Sequence, residues 1–444
     1  MSKAWAVWLI VFVFPAIAGC IQEGHQAEES KKIKILYDNK DLFMSDFGEL
    51  YLSKHPDAEF EVISLYDQFN SGKNTVQAFE EVMRQEPDVL ALDIDRYAQF
   101  AAEGKLYDLN LLISRDSFDL EHLAPAVVEL LKMKGEGRLY GLGPTFSGEA
   151  LFYNIDLFDK YGIPYPTEGM SWEDVLQLAY RFPVDEQDEQ RVYGLQLPDV
   201  QPYYFAMKLG KTHGISLVDA INGKITANTD TWKNILHTVV EAYRSKAILI
   251  KQTREGMRFD PYDIRTFLEG KVAMLIRESG LIMDLRRSKE ALNWAFTSPP
   301  VDPKTPDKVD GIWLQRILAI RSQSPNIDAA WNLIRFILSD EYARIRSRSE
   351  PYAFLTRVGY SDARYGVSLD MFYRMKPAEG LENTTEQLPP GFVLPYVRLS
   401  IEEIDAAVNG DKTVDQALQA LQERAQQEWD KASMAEQQSA DRQP

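Results

Sequence analysis

Side chains that can bind polar small molecules stand in this sequence where predicted strands end. One group follows an alternating apolar pattern and comprises Asp38, Asn39, Lys40 and Asp41. Arg277 and Glu278 follow the strand pattern at residues 273–274, and Trp313 lies in another predicted loop. Carboxylates, amides and cations hydrogen-bond hydroxyl groups, and a planar ring stacks on the apolar face of a sugar. These residue types at strand ends can therefore form a binding site for a polar small molecule, for example a sugar.

No motif for catalysis accompanies these groups. The sequence contains no Gly-x-Ser-x-Gly turn, no Walker phosphate loop and no zinc-ligand spacing. Its five histidines show no metal-ligand spacing; they are His25, His55, His122, His213 and His237. Paired carboxylates are too common in this chain to indicate a glycosidase. We therefore expect a binding protein rather than an enzyme, with no cofactor and no metal.

The elements that would position the polar groups alternate between strands and helices. Residues 33–37 form a strand pattern, residues 43–51 a helical face and residues 60–65 a second strand pattern, which together predict a βαβ unit. Asn74 is expected to cap a helix that precedes the buried strand Val89–Leu92. This alternation predicts an α/β sheet, and ligands bind such sheets at the carboxyl ends of the strands.

The N-terminal residues predict export and lipid anchoring. Lys3 precedes an apolar run at residues 5–14 that is too short to cross a bilayer and is typical of a signal peptide. Residues 17–20, Ile-Ala-Gly-Cys, resemble the bacterial lipobox, whose cysteine receives diacylglycerol. Because Cys20 is the only cysteine, no intramolecular disulfide can form. We expect cleavage before Cys20 and acylation, palmitate included, that anchors the protein to the cell membrane on its extracellular or periplasmic side.

Chain length and net charge indicate the number of domains and the kind of partner. The chain has 444 residues, more than one compact core usually holds, so two domains are expected. Its formal charge of −18 disfavours a nucleic-acid partner, which would need a clustered basic surface. An acidic, well-solvated surface explains the charge, and a preference for cationic ligands is the alternative.

Five blocks of sequence, in order, resemble the family 1 extracellular solute-binding proteins of the carbohydrate, maltose-binding-protein-like type. They lie at residues 87–109, 140–174, 267–274, 328–331 and 409–418. The second is the most specific: it runs from Tyr-Gly-Leu-Gly-Pro through Phe-Tyr-Asn to Ser-Trp-Glu-Asp. The resemblance covers about residues 32–429 of the chain.

The resemblance implies an α/β fold, a two-lobed periplasmic-binding-protein-like clamp whose discontinuous lobes are joined by a multi-strand hinge. The expected organisation is a signal peptide at 1–19, a flexible tether at 20–32 that carries lipidated Cys20, lobe I at 33–145 and 296–345, lobe II at 146–295 and 346–430, and a polar C-terminal tail at 431–444. Hinge closure around a ligand would follow.

The implied function is that of the substrate-binding lipoprotein of an ABC importer. Such a protein captures a small solute, here an oligosaccharide or another carbohydrate, and delivers it to the permease subunits. We expect it to act as a monomer. The alternatives are a ligand-sensing subunit for a membrane kinase and an importer subunit for a polyamine or a metal ion.

The resemblance also assigns individual residues. Asp95 and Arg96 match a pair that contacts sugar hydroxyls, and a surface salt bridge is the alternative. Gln201 and Tyr203 are expected ligand contacts in a segment that matches a ligand-binding segment of the relatives. Tyr203 matches a tyrosine that stacks on sugar, with core packing as the alternative.

Two further segments carry expected ligand contacts. Ser147 falls where the relatives carry a ligand-binding glutamate, and Glu149 faces the same side of an extended segment, so either residue could serve. The polar group at residues 38–41 occupies the loop in which the relatives use a polar pair.

The sequence also departs from the family pattern. Leu92 and Gly280 stand where the maltose-binding members present tryptophan, so maltose is not the expected ligand. Trp313 is the candidate replacement ring, unless it belongs to the core. Arg277 and Glu278 are candidates to bind a uronic or otherwise charged sugar, and a solvent-exposed ion pair is their alternative.

Overall fold

A computed structural model of the protein describes residues 32–184, 191–197, 201–249, 264–289, 292–349, 352–378, 388–389 and 391–440. Cys20, the predicted signal peptide and nearly all of the predicted tether lie outside these residues. Within the described ranges, no helix is both long enough and apolar enough to cross a membrane.

The strands and helices alternate along most of the chain. The strands are β1 (Lys32–Tyr37), β2 (Glu59–Ser64), β3 (Val89–Leu92), β4 (Gly141–Leu142), β5 (Thr145–Asn154), β6 (Tyr193–Gln196), β7 (Val218–Asp219), β8 (Lys224–Ile225), β9 (Ile248–Leu249), β10 (Val272–Glu278), β11 (Trp294–Thr297), β12 (Lys308–Val309), β13 (Ile312–Leu314), β14 (Ile317–Ile320), β15 (Phe354–Leu355) and β16 (Lys376–Pro377). The helices are α1 (Lys40–Phe43), α2 (Glu49–Lys54), α3 (Leu65–Asn70), α4 (Thr75–Arg84), α5 (Ile94–Ala102), α6 (Asn110–Arg115), α7 (Pro125–Lys134), α8 (Ile155–Tyr161), α9 (Trp172–Ala179), α10 (Pro202–Thr212), α11 (Asp230–Arg244), α12 (Arg265–Leu268), α13 (Leu281–Arg287), α14 (Ile327–Ile337), α15 (Asp340–Arg346), α16 (Asp362–Tyr365), α17 (Asp370–Arg374), α18 (Val393–Asn409) and α19 (Val414–Ala440).

The first sheet has five strands in the order β2-β1-β3-β14-β4. β1 runs parallel to β2 and to β3, which confirms the predicted βαβ unit at the start of the fold. β14 runs antiparallel to β3 and to β4. The carboxyl ends of β1, β2 and β3 therefore lie at one edge of this sheet, where the polar loops that follow them can meet.

The second sheet has seven strands and is organised around the long strand β5. Four strands pair antiparallel with β5. β13 and β15 pair with its first residues, and β10 and β11 pair with its later residues. At Phe146, β5 pairs with Leu314 of β13 and with Phe354 of β15, so β13 and β15 lie on opposite edges of β5. β10 continues the sheet to β6 and β9.

The chain crosses between the two sheets more than once. Gly143 and Pro144 link β4 to β5, and Gln315 and Arg316 link β13 back to β14. The two links lie against each other, because a β-carbon added at Gly143 would stand 3.2 Å from the Arg316 carbonyl oxygen. A third passage leads from α15 to β15. The first two links are short, as connections between successive elements usually are.

Buried apolar side chains form two clusters. The first cluster contains side chains of the first sheet and of the helices packed on it, and it extends past the start of β5 to Phe354 and Phe372. The other lies between the second sheet and helices α9, α10, α11, α18 and α19, with Trp172 and Trp232 inside it. The predicted cap of α4 is confirmed, since the Asn74 side chain accepts from the backbone N–H of Gln77 at 3.0 Å.

Candidate ligand-binding site

Four of the predicted site residues lie on one face of the second sheet. Ser147 and Glu149 alternate along β5, so their side chains share a face. Trp313 of β13 pairs directly with Ser147, and Glu278 of β10 pairs directly with Glu149. Directly opposed residues of antiparallel strands project to the same side. We call the surface formed by Ser147, Glu149, Trp313 and Glu278 the β5 face.

An ion pair stands on this face. The Lys208 ammonium of α10 donates to both carboxylate oxygens of Glu149, at 2.8 Å and 2.6 Å. The Glu149 side chain is 9% exposed. Such burial removes water from the carboxylate, so its charge depends on the lysine for compensation. A second pair, Lys211 to Asp310 at 2.8 Å, joins α10 to the loop before β13.

Exposed rings surround the pair. Trp313 is 41% exposed. Gly311 has a φ of +111°, and a β-carbon there would lie 3.1 Å both from the Trp313 ring and from the β-carbon of Glu149. The glycine thus keeps the space between the indole and the carboxylate open. Tyr204 is also exposed and lies one turn before Lys208 on α10.

The polar edge of the first sheet contributes a second group. Arg316, in the link between β13 and β14, forms an ion pair with Asp38 at the end of β1. Asn39 accepts from the backbone N–H of Leu42 at 2.9 Å and thereby caps α1. Lys40 and Asp41 are exposed on α1. Asp38 is therefore the predicted residue of this loop that contacts the link between β13 and β14, and β13 carries Trp313 of the β5 face.

Asp95 and Arg96 lie in the first turn of α5. Asp95 is exposed. The guanidinium carbon of Arg96 lies 4.5 Å from the ring centroid of Phe79 on α4 and 5.6 Å from that of Phe100. The Arg96 side chain also donates to Gln99. These contacts hold the arginine between α4 and α5, and none of them involves the β5 face.

The remaining three predicted residues are two buried side chains, Tyr203 and Arg277, and the exposed Gln201. Tyr203 is only 6% exposed, and burial raises the pKa of its hydroxyl. Gln201, at the start of α10, is exposed. Arg277 is buried and pairs with Ala150, on the side of the sheet opposite to Glu278. Gly148 shares that side, where Phe372 covers it.

Sequence reasoning missed Lys208, Arg316 and Tyr204. Lys208 and Tyr204 lie on a helix, whereas the rule that ligands bind at the carboxyl ends of strands points to the loops. A signal for both existed, because Tyr204 and Lys208 are spaced i, i+4 and share a helix face. In the described part of the chain, no group of three or more His, Cys, Asp or Glu side chains could hold a metal ion.

Two sheets joined by repeated short links, with an aromatic and ion-paired face beside the links, define a two-lobed periplasmic-binding-protein-like clamp. Residues 38–344 match the family model for bacterial extracellular solute-binding proteins, and the chain belongs to that family. It is a solute-binding protein of α/β fold, which confirms both the predicted family and the predicted architecture.

The chain is also similar to curated proteins and solved structures. A putative binding protein of Brucella abortus (strain 2308) is 22% identical over 235 residues, which are 52% of this chain and 52% of that protein. The chain thus spans about half the length of the curated relatives it matches. The sugar-binding protein MalE of Xanthomonas citri has a TM-score of 0.62 at 17% identity, over 92% of this chain and 99% of that chain.

A second solved structure is similar at the same level. The solute-binding protein of Agrobacterium vitis S4, with bound D-mannitol, has a TM-score of 0.56 at 20% identity and covers 90% of this chain and 98% of its own. Likeness at these identities establishes the fold.

Proposed function

We propose that this solute-binding protein captures a carbohydrate on the β5 face and delivers it to the permease of an ABC importer. The observation that carries the proposal is the exposed indole of Trp313 beside the Glu149–Lys208 ion pair. A sugar needs an apolar platform for one ring face, an acceptor for its hydroxyl hydrogens and a donor to its oxygens. The β5 face and α10 offer all three.

Three carboxylates at the site already have cationic partners. Glu149 is paired with Lys208, Asp310 with Lys211 and Asp38 with Arg316, and Glu278 is the remaining, exposed acid of the β5 face. At Glu149 a polyamine would have to displace Lys208, whereas a sugar hydroxyl can hydrogen-bond to a pair that stays intact. The solved relatives support this choice, since they include complexes with D-mannitol, cycloalternan and maltose.

The two lobes of the proposed clamp follow the two sheets. Lobe I would comprise residues 33–145 with the segment from β14 onward, and lobe II residues 146–295 with 346–430. Because β11 and β13 pair with β5, we place the return to lobe I at Gln315 and Arg316, later than residue 296. The site would then adjoin two of the links, where closure of the lobes changes its shape most.

The lipid anchor is a further part of the proposal and rests on the lipobox-like residues 17–20. Acylation of Cys20 and a tether at 20–32 would keep a monomeric clamp at the outer face of the cell membrane. In the native host, an alkyne analogue of palmitate should label the wild-type protein and leave a Cys20→Ser variant unlabelled. Equal labelling of the wild type and the Cys20→Ser variant would show that Cys20 is not the acylated residue.

Isothermal titration with a panel of neutral sugars, uronic acids, spermidine and zinc tests the ligand class. We expect a neutral carbohydrate to bind and Trp313→Ala to weaken it about tenfold, since the platform is lost. Tyr165→Ala is the matched control, because that ring is similarly exposed but lies against Tyr153 and Phe158. Binding of spermidine or zinc alone would contradict the proposal.

A further inference from the structure

A cavity of about 570 Å³ opens between α4 and α5, two helices that pack on the first sheet. It is lined by Val76, Phe79, Glu80, Met83, Arg84, Arg96, Gln99, Phe100, Glu103 and Lys105. Sites for small molecules in proteins commonly have volumes of about 300–1,000 Å³. The cavity is therefore large enough for a small ligand, and none of its lining residues belongs to the β5 face.

Part of the lining is apolar. The rings of Phe79 and Phe100 meet edge to face, with their centroids 6.0 Å apart, and both side chains are buried in the apolar cluster of the first sheet. Val76, in the first turn of α4, is 59% exposed, and Met83 is partly buried. An apolar group in the cavity would cover part of this surface, and the removal of apolar surface from water stabilises binding.

Arg96 lies over both rings and forms no ion pair among the residues that the structure describes. Its guanidinium donates to the side-chain oxygen of Gln99, whose amide nitrogen donates in turn to Glu103 at 2.8 Å. Lys105 forms an ion pair with the other carboxylate oxygen of Glu103. Because Glu103 already has a donor at each oxygen, the Arg96 guanidinium retains N–H donors for an anionic ligand.

The remaining charges of the lining favour an anion over a cation. Arg84 forms an ion pair with Glu81 at 3.0 Å. Glu80 is exposed, whereas Arg96 is half-buried. Water and salt screen an exposed charge more strongly than a half-buried one, so Arg96 has the larger effect on a ligand inside the cavity.

We infer that this cavity binds a small amphipathic carboxylate, at a site separate from the proposed carbohydrate site. The carboxylate pairs with Arg96, and the apolar part of the ligand covers the apolar part of the lining. A guanidinium binds a carboxylate through two parallel hydrogen bonds, which an ammonium group cannot accept. The inference goes beyond the proposed function, because it assigns a second ligand to other elements of the fold.

Isothermal titration of the full-length protein with acetate, butyrate, hexanoate and octanoate tests the ligand class. Each added methylene group that becomes buried should tighten binding about twofold to fourfold. Hexanol and hexylamine keep the chain length without the carboxylate and should bind about tenfold more weakly than hexanoate. An affinity that does not depend on chain length, or a preference for hexylamine, would overturn the inference.

Variants of the charged lining residues test the role of Arg96. Arg96→Gln should weaken octanoate binding about tenfold, because the ligand loses hydrogen bonds to a charged group. Glu80→Gln removes an acid from the cavity and should not weaken binding. Arg138→Gln is the matched control and should bind as wild type, since Arg138 forms an exposed ion pair with Asp108 at 2.9 Å. Thermal unfolding of each variant shows whether it has folded.

Trp313→Ala locates the octanoate site. This variant should bind octanoate as tightly as wild type, since the β5 face takes no part in the site. Loss of octanoate binding in Trp313→Ala, or unchanged binding in Arg96→Gln, would overturn the inference. If wild type binds sugars but none of the carboxylates, the inference is overturned and the proposed function stands.

Discussion

At the scale of residues, the Glu149–Lys208 pair is a buried ion pair within the proposed binding site. The carboxylate is almost fully buried and takes both of its short contacts from one ammonium group. Any neutral replacement of the acid leaves the Lys208 charge uncompensated, but the amide keeps the side-chain volume and one acceptor oxygen, whereas truncation loses both. Substitution of the acid by its amide is therefore the milder probe of the site.

Glu149→Gln should raise the dissociation constant for the bound carbohydrate about tenfold, because a hydrogen bond to a charged group contributes about 1.5–3 kcal/mol. Isothermal titration measures this change. Glu168→Gln is the matched control, since Glu168 forms an exposed ion pair with Arg374 at 2.6 Å. Equal affinity of Glu149→Gln and wild type would remove Glu149 from the ligand contacts.

At the scale of residues, the sequence indicated the strand part of the site better than the helical part. Glu149 and Trp313 were candidates from the outset, and pairing through Ser147 brings them to one face. Lys208 could not be matched to Glu149, because their contact depends on where α10 crosses β5. The choice between Tyr203 and Tyr204 depends on the rotation of α10 about its axis, which packing against Tyr396 decides.

Among the elements, α6 and α14 are tied together by Asp116. The Arg115 guanidinium donates to this carboxylate at 2.8 Å, and the Trp331 indole N–H donates at 2.8 Å. These hydrogen bonds, that from Arg115 first, lower the pKa of Asp116 to about 2. Both donors favour the ionised form, so the contact between the helices depends on pH.

Asp116→Asn should lower the urea midpoint of unfolding at pH 7, and the difference from wild type should shrink in acid. A depressed folded-state pKa gives stability that is fully present above the unfolded value of about 3.9 and is lost as pH falls towards about 2. Urea titrations of both proteins at pH 7, 4 and 2.5 measure the difference. A difference that grows as the pH falls would contradict this assignment.

The two C-terminal helices are joined by a buried acid. Glu403 of α18 is fully buried and forms ion pairs with Lys412 and Arg424. Its neighbour Glu402 also pairs with Arg424, at 2.9 Å, but is exposed. The two glutamates therefore share a partner and differ in burial.

Glu403→Ala should reduce the free energy of unfolding by about 3 kcal/mol, since it leaves a cavity and two cations without their buried partner. Glu402→Ala is the matched control and should change it by less than about 1 kcal/mol, as exposed pairs do. Guanidinium denaturation monitored by circular dichroism gives both values. Similar losses in the two variants would show that burial of Glu403 is not what stabilises the helix pair.

The elements near the N-terminus show what periodicity can and cannot predict. The pattern over residues 43–51 predicted one helix, but the structure contains α1, a π-helical turn at Met44–Gly48 and α2. The apolar side chains Phe43, Phe47 and Tyr51 are all buried, as predicted. A π-turn changes the backbone hydrogen bonds without moving these residues off the core face, so apolar spacing alone does not reveal it.

For the whole molecule, the links between the sheets are where the proposed clamp would open and close. The β5 face ends at Trp313, and the chain reaches Arg316 and its partner Asp38 within three residues. A β-carbon at Gly143 would stand 3.0 Å from the Leu314 side chain, so neighbouring links are packed together. The sequence did not reveal the position of the second link, because β13 has only three residues and no distinct pattern.

A ligand that contacts both lobes should shift the protein towards a closed form. The size of the shift depends on how much more tightly the ligand binds the closed form than the open form. At about 100 times the dissociation constant, the bound sugar should stabilise wild type by about 2.7 kcal/mol in thermal unfolding and reduce its radius of gyration in small-angle scattering. Trp313→Ala, at the same sugar concentration, should show smaller changes in both measurements. Ile221→Ala, at a fully solvated position, should behave as wild type. Stabilisation without compaction would mean that the ligand binds one lobe and that the links do not close around it.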